Sequence, residues 1–346
     1  MTLDSPSEKF YISNLIKIHS LGLVFFNYGY TPRLKKWLLA NASKYDVIII
    51  EGLWQFHSFA TWRTLTKLKI PYYVFVHGML SPWFKLNYPI KHLKKLIYWQ
   101  LIERKVLRDA KTVFFTSEEE RILARQSFKD YLCTEKVVGY GISNPVGNPI
   151  YLKNLFLEQY PILSKKRIIL FLGRLHPVKG CDLLIEAFAN VANTDFNLHL
   201  LMVGPDQSLW AEALKTRAEK LGISQKITWT GMLEGDLKWG AFHAAEVFCL
   251  PSHQENFGIV VAEALACKKP VLISNKVNIW RQIKLEKAGF IDNDSLEGIL
   301  RNLKNWLSLT PPELNEMKKR ALFCFESHFH VKTTAASLIE ILRTSL

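Results

Sequence analysis

Two stretches in the second half of the chain carry residues that could do chemistry. Gly173-Arg174-Leu175-His176-Pro177-Val178-Lys179-Gly180 sets two fixed cations five residues apart in a Gly-bounded turn, directly after the apolar run Ile168–Leu172. Glu255-Asn256-Phe257-Gly258-Ile259-Val260-Val261-Ala262-Glu263 puts a carboxylate at each end of a segment that opens a helix. An arginine grips phosphate with a planar fork and a lysine acts as a point charge, so the first stretch suits a diphosphate. Backbone N–H groups of Asn256, Phe257 and Gly258 at a helix N-terminus would favour the same anion. A glutamate suits sugar hydroxyls, and together the two stretches describe a site for a nucleotide-sugar. A βα turn with solvated cations and a structural ion pair at Glu263 would use the same residues.

Glu263 lies between Ala262 and Ala264 in an otherwise apolar stretch, where a carboxylate is costly unless partnered. A third feature, His77-Gly78-Met79-Leu80-Ser81-Pro82-Trp83, follows the apolar run Tyr72–Val76. Polar side chains at the carboxyl ends of parallel strands are where such folds keep functional groups. His77 is therefore a candidate catalytic residue, although a lone histidine is more often structural. Glu51-Gly52-Leu53-Trp54 occupies the equivalent place after the preceding strand and is expected to be a loop carboxylate without a role.

The elements that must position these groups alternate short apolar runs with longer amphipathic stretches, the βαβ pattern of a parallel sheet. In the first half, strands are expected at Leu23–Phe26, Val47–Ile50, Tyr72–Val76 and Thr112–Thr116. Helices are expected at Pro32–Ala42, Ser58–Lys67, Pro89–Arg108 and Glu118–Arg125. The loop Gly139–Pro149, with three Gly and two Pro, marks a boundary. Strands Ile168–Leu172, Leu198–Val203, Ile227–Thr230, Val247–Leu250 and Val271–Ser274 follow, and the tail from Pro311 reads as helix. The expected domains are residues 1–150 and 151–329, with a last helix over 330–346 packing back onto the first. Two doubly wound units of this kind would place a ligand cleft between them.

The 346 residues, 49% apolar and 22% charged, describe a globular chain. No apolar run approaches the ~18 residues that cross a bilayer, and Met1 to Phe10 lacks the layout of a signal peptide. Five scattered cysteines without a Cys-x-x-Cys pair argue against a disulfide framework or zinc site, and for a reducing compartment. The net charge of +14 is uneven: residues 1–165 hold 23 Lys+Arg against 12 Asp+Glu, while residues 166–346 hold 22 against 19. Within the basic half, Lys85–Lys111 interleaves lysines and arginines with Trp83, Phe84, Tyr88, Tyr98 and Trp99. That pattern fits an amphipathic helix lying on an anionic membrane, or one with its aromatics in the core and its lysines in water. No nucleic-acid motif accompanies the charge, and no nucleic-acid partner is expected.

From about Tyr45 to about Leu342 these motifs resemble the retaining GT-B glycosyltransferases of the family-four "glycosyl transferase group 1" type. The resemblance rests on G-R-L-x-x-x-K-G, the two glutamates eight apart, Ala264–Val271 with Pro270, and His77. It implies an α/β GT-B fold with two Rossmann-like domains facing a central cleft, and sugar transfer that keeps the donor's anomeric configuration. By resemblance, Gly173, Arg174 and Lys179 hold the donor diphosphate and Glu263 takes the ribose hydroxyls. Glu255 sits by the donor sugar, with the amides of Asn256, Phe257 and Gly258 near the sugar and phosphate and His77 against the sugar. Arg174 and Lys179 then stabilise the departing diphosphate, whose own oxygen takes the acceptor's proton.

No Asp-x-Asp metal motif is expected in the chain, and neither metal nor cofactor is expected, the nucleotide-sugar being a substrate. The family's opening strand and Gly-rich loop have no counterpart before Leu21, so the amino-terminal domain is expected to be about one βαβ unit short. Lys268 stands where the family has Gly after Ala-Cys, and Tyr140-Gly141 replaces its Asn-Gly turn. The expected function is cytoplasmic sugar transfer at the inner membrane face, to a glycan or lipid-linked acceptor, in cell-surface polysaccharide synthesis. A non-catalytic nucleotide-sugar-binding protein and a nucleotide-sugar epimerase of the same fold are the alternatives.

Overall fold

The computed structural model describes residues 1–3, 15–22, 24–87 and 89–345. The chain divides into two compact units, Met1–Val138 joined by the residues from Ile339 onward, and Gly139–Leu338. Much of the Met1–Ser20 stretch, position 23 of the first expected strand and Tyr88 lie outside the described residues.

In the first unit, β1 (Ile49–Glu51), β2 (Tyr73–Phe75), β3 (Thr112–Phe115) and β4 (Glu135–Val137) form a parallel sheet in sequence order. β2 and β3 are buried throughout, as a parallel sheet covered on both faces requires. Of the strand expected at Leu23–Phe26, the described residues 24–26 form none. Phe25 instead bridges Tyr30 in a tight antiparallel turn, with Phe26 at φ +59°. Its apolar run resembles a strand, but Asn27 and Gly29 close the chain back on itself before any ladder can grow. The helix expected over Pro89–Arg108 is observed as Pro89–Tyr98, a π-turn Trp99–Glu103 and Arg104–Arg108.

Glu103 in that π-turn is fully buried, its Oε1 accepting the Trp54 N–H at 2.6 Å and the Ser58 hydroxyl at 2.7 Å. Its Oε2 is also buried and has no partner among the described residues. Burial pushes the carboxyl up to about 7 from its ordinary 4.5, against the opposing effect of those two hydrogen bonds. The folded state thus holds a proton that the unfolded chain releases above pH 4.5. The stability from Glu103 is complete below that pH and is lost as pH rises through about 7. The loss is on the order of 3 kcal/mol. Chemical denaturation across this window should show the fall in the native chain and a flatter profile in Glu103→Gln.

In the second unit, β5 (Arg167–Leu172), β6 (Leu198–Val203), β7 (Ile227–Gly231), β8 (Val247–Leu250), β9 (Val271–Ser274) and β10 (Gly289–Asp292) form one parallel sheet. Their order is β10-β9-β8-β5-β6-β7, which reverses between β5 and β8. That is the doubly wound arrangement, and ligands bind such sheets at the carboxyl ends beside the reversal. The core is built from these strands and the helices Cys181–Val191, Ile259–Ala266 and Leu296–Leu307. Helices Pro311–His328 and Val331–Ser345 close the chain. All five cysteines are free, and four of them are buried.

Candidate donor site

The loops that follow β5 and β8 lie side by side at the strand-order reversal. Gly173–Gly180 leaves β5, and its short turn Pro177–Lys179 is capped by His176, whose Nδ1 accepts the Val178 N–H at 3.2 Å. Pro251–Gly258 leaves β8, and the His253 N–H donates to the Val178 carbonyl at 2.8 Å. Across this seam the Lys179 ammonium meets the Glu255 carboxylate, their side chains 15% and 18% exposed. Arg174 is exposed and has no ion-pair partner among the described residues. The two cations expected to act together therefore differ: one is already neutralised by a carboxylate and the other is open to water.

Glu255 is fixed through its backbone, its N–H donating to the Lys276 carbonyl and its own carbonyl accepting from Asn278. Gly258, at φ +77°, turns the chain into helix Ile259–Ala266, and the first N–H groups of that helix have no intrahelical acceptor. Phe257 contributes backbone only, because its ring is buried edge-on against Tyr140 and Phe329. Within the helix, Glu263 is buried and its Oε1 takes the Lys238 ammonium at 2.6 Å. Its Oε2 is buried without a hydrogen-bond partner among the described residues, an acceptor a ligand hydroxyl could satisfy. Lys268 past the helix end takes the left-handed conformation, φ +59°, that glycine adopts without strain.

His77 belongs to the first unit. It sits just beyond β2 at φ +47°, its ring stacked on Phe75 with centroids 5.6 Å apart. Its Nε2 is 2.5 Å from Glu51 Oε2, so the glutamate expected to be idle is the histidine's partner. Glu120, which the sequence reading passed over, organises this turn. One of its carboxylate oxygens accepts the Gly78 N–H, and the other accepts the Thr116 N–H at 2.6 Å and the Thr116 hydroxyl at 2.7 Å. Burial raises the Glu120 carboxyl, with the Thr116 and Gly78 hydrogen bonds opposing it. The signal was present in Ser117-Glu118-Glu119-Glu120, a Ser three residues before a Glu. Ser117 does cap this helix, but the Glu120 side chain reaches one residue beyond it, to Thr116, and across to Gly78 after the neighbouring strand.

One Asp-x-Asp spacing does occur, at Asp292-Asn293-Asp294, outside the motifs above. Its carboxylates are taken up by side chains, Asp292 by Arg301 at 2.7 Å and Asp294 by His253 at 2.9 Å. Among the described residues no three His, Cys, Asp or Glu are grouped so as to hold a metal ion.

Two family models match the chain: "Glycosyl transferases group 1" over residues 153–322 and "Glycosyl transferase 4-like domain" over residues 15–130. A D-inositol 3-phosphate glycosyltransferase of Segniliparus rotundus is 29% identical over 185 residues, covering 52% of this chain. The match spans only 40% of that relative's length. An uncharacterized glycosyltransferase of Methanocaldococcus jannaschii is 27% identical over 290 residues, covering 79% of this chain and 70% of its own. The crystal structure of Anabaena HepE in complex with UDP superposes with a TM-score of 0.73 at 18% identity, over 91% of this chain and 82% of that one. That likeness fixes the fold as GT-B, with two parallel-sheet Rossmann-like domains. With both family models matched in order along its two halves, the chain belongs to the group 1 glycosyltransferases.

Proposed function

We propose that this protein transfers a sugar from a nucleoside-diphosphate donor to a glycan or lipid-linked acceptor with retention, in cell-surface polysaccharide synthesis. The observation that carries the reading is the seam at the β5–β8 reversal, where Arg174, Lys179 and Glu255 gather on two adjoining loops. Two cations there suit a departing diphosphate and would stabilise its growing charge. The orphaned Oε2 of Glu263, on the helix that follows the same loop, suits a ribose hydroxyl. UDP bound in the structurally similar HepE supports a nucleotide donor of this class. Both carboxylates of the site are tied to lysines, Glu255 to Lys179 and Glu263 to Lys238, so neither stands ready as a base. That arrangement favours the departing phosphate oxygen as acceptor of the incoming hydroxyl's proton.

The His77–Glu51 hydrogen bond favours a second reading, a nucleotide-sugar epimerase, because it supplies an oriented acid/base group. Melting shifts with UDP-, GDP- and ADP-sugars should single out one base. With that donor and no acceptor, slow transfer to water followed by NMR should show the first-formed sugar in the donor's own anomeric configuration. An inverted first anomer would end the retaining assignment, and an epimerised donor would establish the second reading. Binding without turnover in the presence of varied acceptors would mark a donor-binding protein.

A further inference from the structure

The chain carries no acidic residue between Glu51 and Glu103, a stretch that holds seven Lys and Arg. Its last third is the helix Pro89–Tyr98 and the π-turn Trp99–Glu103. One face of this segment packs inward through His92, Trp99 and Glu103, all buried. The other presents Ile90, Leu93, Ile97 and Leu101, which are 78%, 61%, 62% and 61% exposed. Spacings of three, four and four residues keep these four side chains on one helical face. Four large aliphatic groups in a continuous stripe are not the scattered apolar exposure that every soluble surface shows.

The polar groups beside the stripe are of one sign. Lys85 and Lys94 are exposed, whereas Lys95 turns aside over the Trp54 ring at 4.7 Å. Three carboxylates of the same unit are spoken for: Glu103 is buried, and Asp130 and Asp109 pair with Arg104 and Arg108. A second apolar element adjoins the same helix. The turn Phe25–Tyr30 meets it through the Tyr28 and Tyr98 hydroxyls, 2.7 Å apart, and carries Phe26 at its tip, 85% exposed.

We propose that this face of the first unit docks on an anionic phospholipid surface, with Ile90, Leu93, Ile97 and Leu101 entering the headgroup–acyl boundary and Lys85 and Lys94 meeting lipid phosphates. An aliphatic stripe bordered by lysines with no free acid is the pattern of a helix lying in the interface plane. An acidic protein groove would supply the charge but not the broad, featureless apolar layer that a straight stripe of four aliphatics fits. No described helix is long and apolar enough to cross a membrane. This inference does not depend on the donor site and applies equally to a protein that only binds its nucleotide.

Co-sedimentation of the full chain with phosphatidylcholine vesicles, with and without phosphatidylglycerol, tests it. Binding is expected to the anionic vesicles at low salt and to weaken as salt screens the lysines. Leu93→Ser/Ile97→Ser should weaken partitioning about tenfold, and Lys85→Ala/Lys94→Ala by a similar factor. All four positions but Leu93 and Ile97 are polar, and every one is exposed, so both variants should melt as the native chain does and keep its nucleotide affinity. No binding to anionic vesicles at low salt overturns the proposal. Binding that Leu93→Ser/Ile97→Ser leaves at native strength, or that is equal on neutral vesicles, also overturns it.

Discussion

Lys179→Ala should weaken nucleoside diphosphate binding by about a hundredfold to a thousandfold, well beyond the loss from Arg174→Ala. The difference comes from Glu255. In the free protein the Lys179 ammonium already meets the Glu255 carboxylate, and both side chains are largely withdrawn from water. An arriving diphosphate must share that ammonium with the carboxylate or take it over. Deleting the lysine removes a charge-assisted contact of ~1.5–3 kcal/mol. It also leaves an unpaired carboxylate facing the phosphate, a repulsion of about 1–4 kcal/mol at contact distances near a protein surface.

Arg174 is exposed, so its removal costs only the first of these terms, and in more water: about tenfold. Glu255→Gln should act in the opposite direction and tighten UDP binding about tenfold, because it releases the ammonium. The double variant Lys179→Ala/Glu255→Gln should then recover most of the repulsive share. Calorimetric titration of UDP into the native chain and these four variants closes this cycle. Equal losses for Lys179→Ala and Arg174→Ala, with no recovery in the double variant, would remove Glu255 from the account.

The second unit was legible in the sequence because its strands are continuous buried runs. Leu198–Val203, Val247–Leu250 and Val271–Ser274 appear at the expected bounds, each buried along its whole length. β10 escaped notice: Gly289-Phe290-Ile291-Asp292 is short, half-exposed and at the sheet edge, so it lacks a buried strand's apolar signature. β4 escaped for the same reason, Glu135-Lys136-Val137 being another edge strand with polar residues. Helix Pro149–Gln159 was hidden by reading Gly139–Pro149 as loop alone. Asn148-Pro149 is its start signal, with the Asn148 side chain accepting the Ile150 and Tyr151 N–H groups and Pro at the first position.

At the candidate site, residue types and spacing named the groups expected to act but not which of them touch. Arg174 and Lys179 looked equivalent as fixed cations, and only the packing of the β8 loop against the β5 loop separates them. Glu51 looked idle because the register that sets β1 beside β2, Glu51 opposite Phe75, is a tertiary fact. Once that pairing exists, the residues just past each strand end are neighbours, and a carboxylate beside a histidine follows from geometry. Glu120 was missed in the same way, since its partners Gly78 and Thr116 lie at the ends of two different strands.

The seam between the two loops sets the other large effect. Gly180→Ala should destabilise the second unit by about 3–4 kcal/mol, whereas Gly222→Ala should cost only about 1–2 kcal/mol. Both glycines are in the left-handed region, at φ +65° and φ +70°, so both variants carry the same conformational penalty. What differs is the space. A Cβ on Gly222 meets nothing within 4 Å, while one on Gly180 would lie 2.3 Å from the Pro251 carbonyl oxygen. That carbonyl cannot retreat cheaply, because the loop behind it is held on three sides. The Ser252 carbonyl takes the Ser274 hydroxyl, the His253 N–H reaches Val178, and the Glu255 N–H reaches Lys276. The strain must instead push the β5 loop away, and Lys179 is the residue next to the one that moves. Gly180→Ala should therefore lose nucleotide affinity together with stability, and Gly222→Ala should keep its affinity. Thermal melts paired with UDP titrations read both quantities. Equal destabilisation by the two alanines would mean that the loops part easily, and that their contact does not fix the Lys179–Glu255 pair.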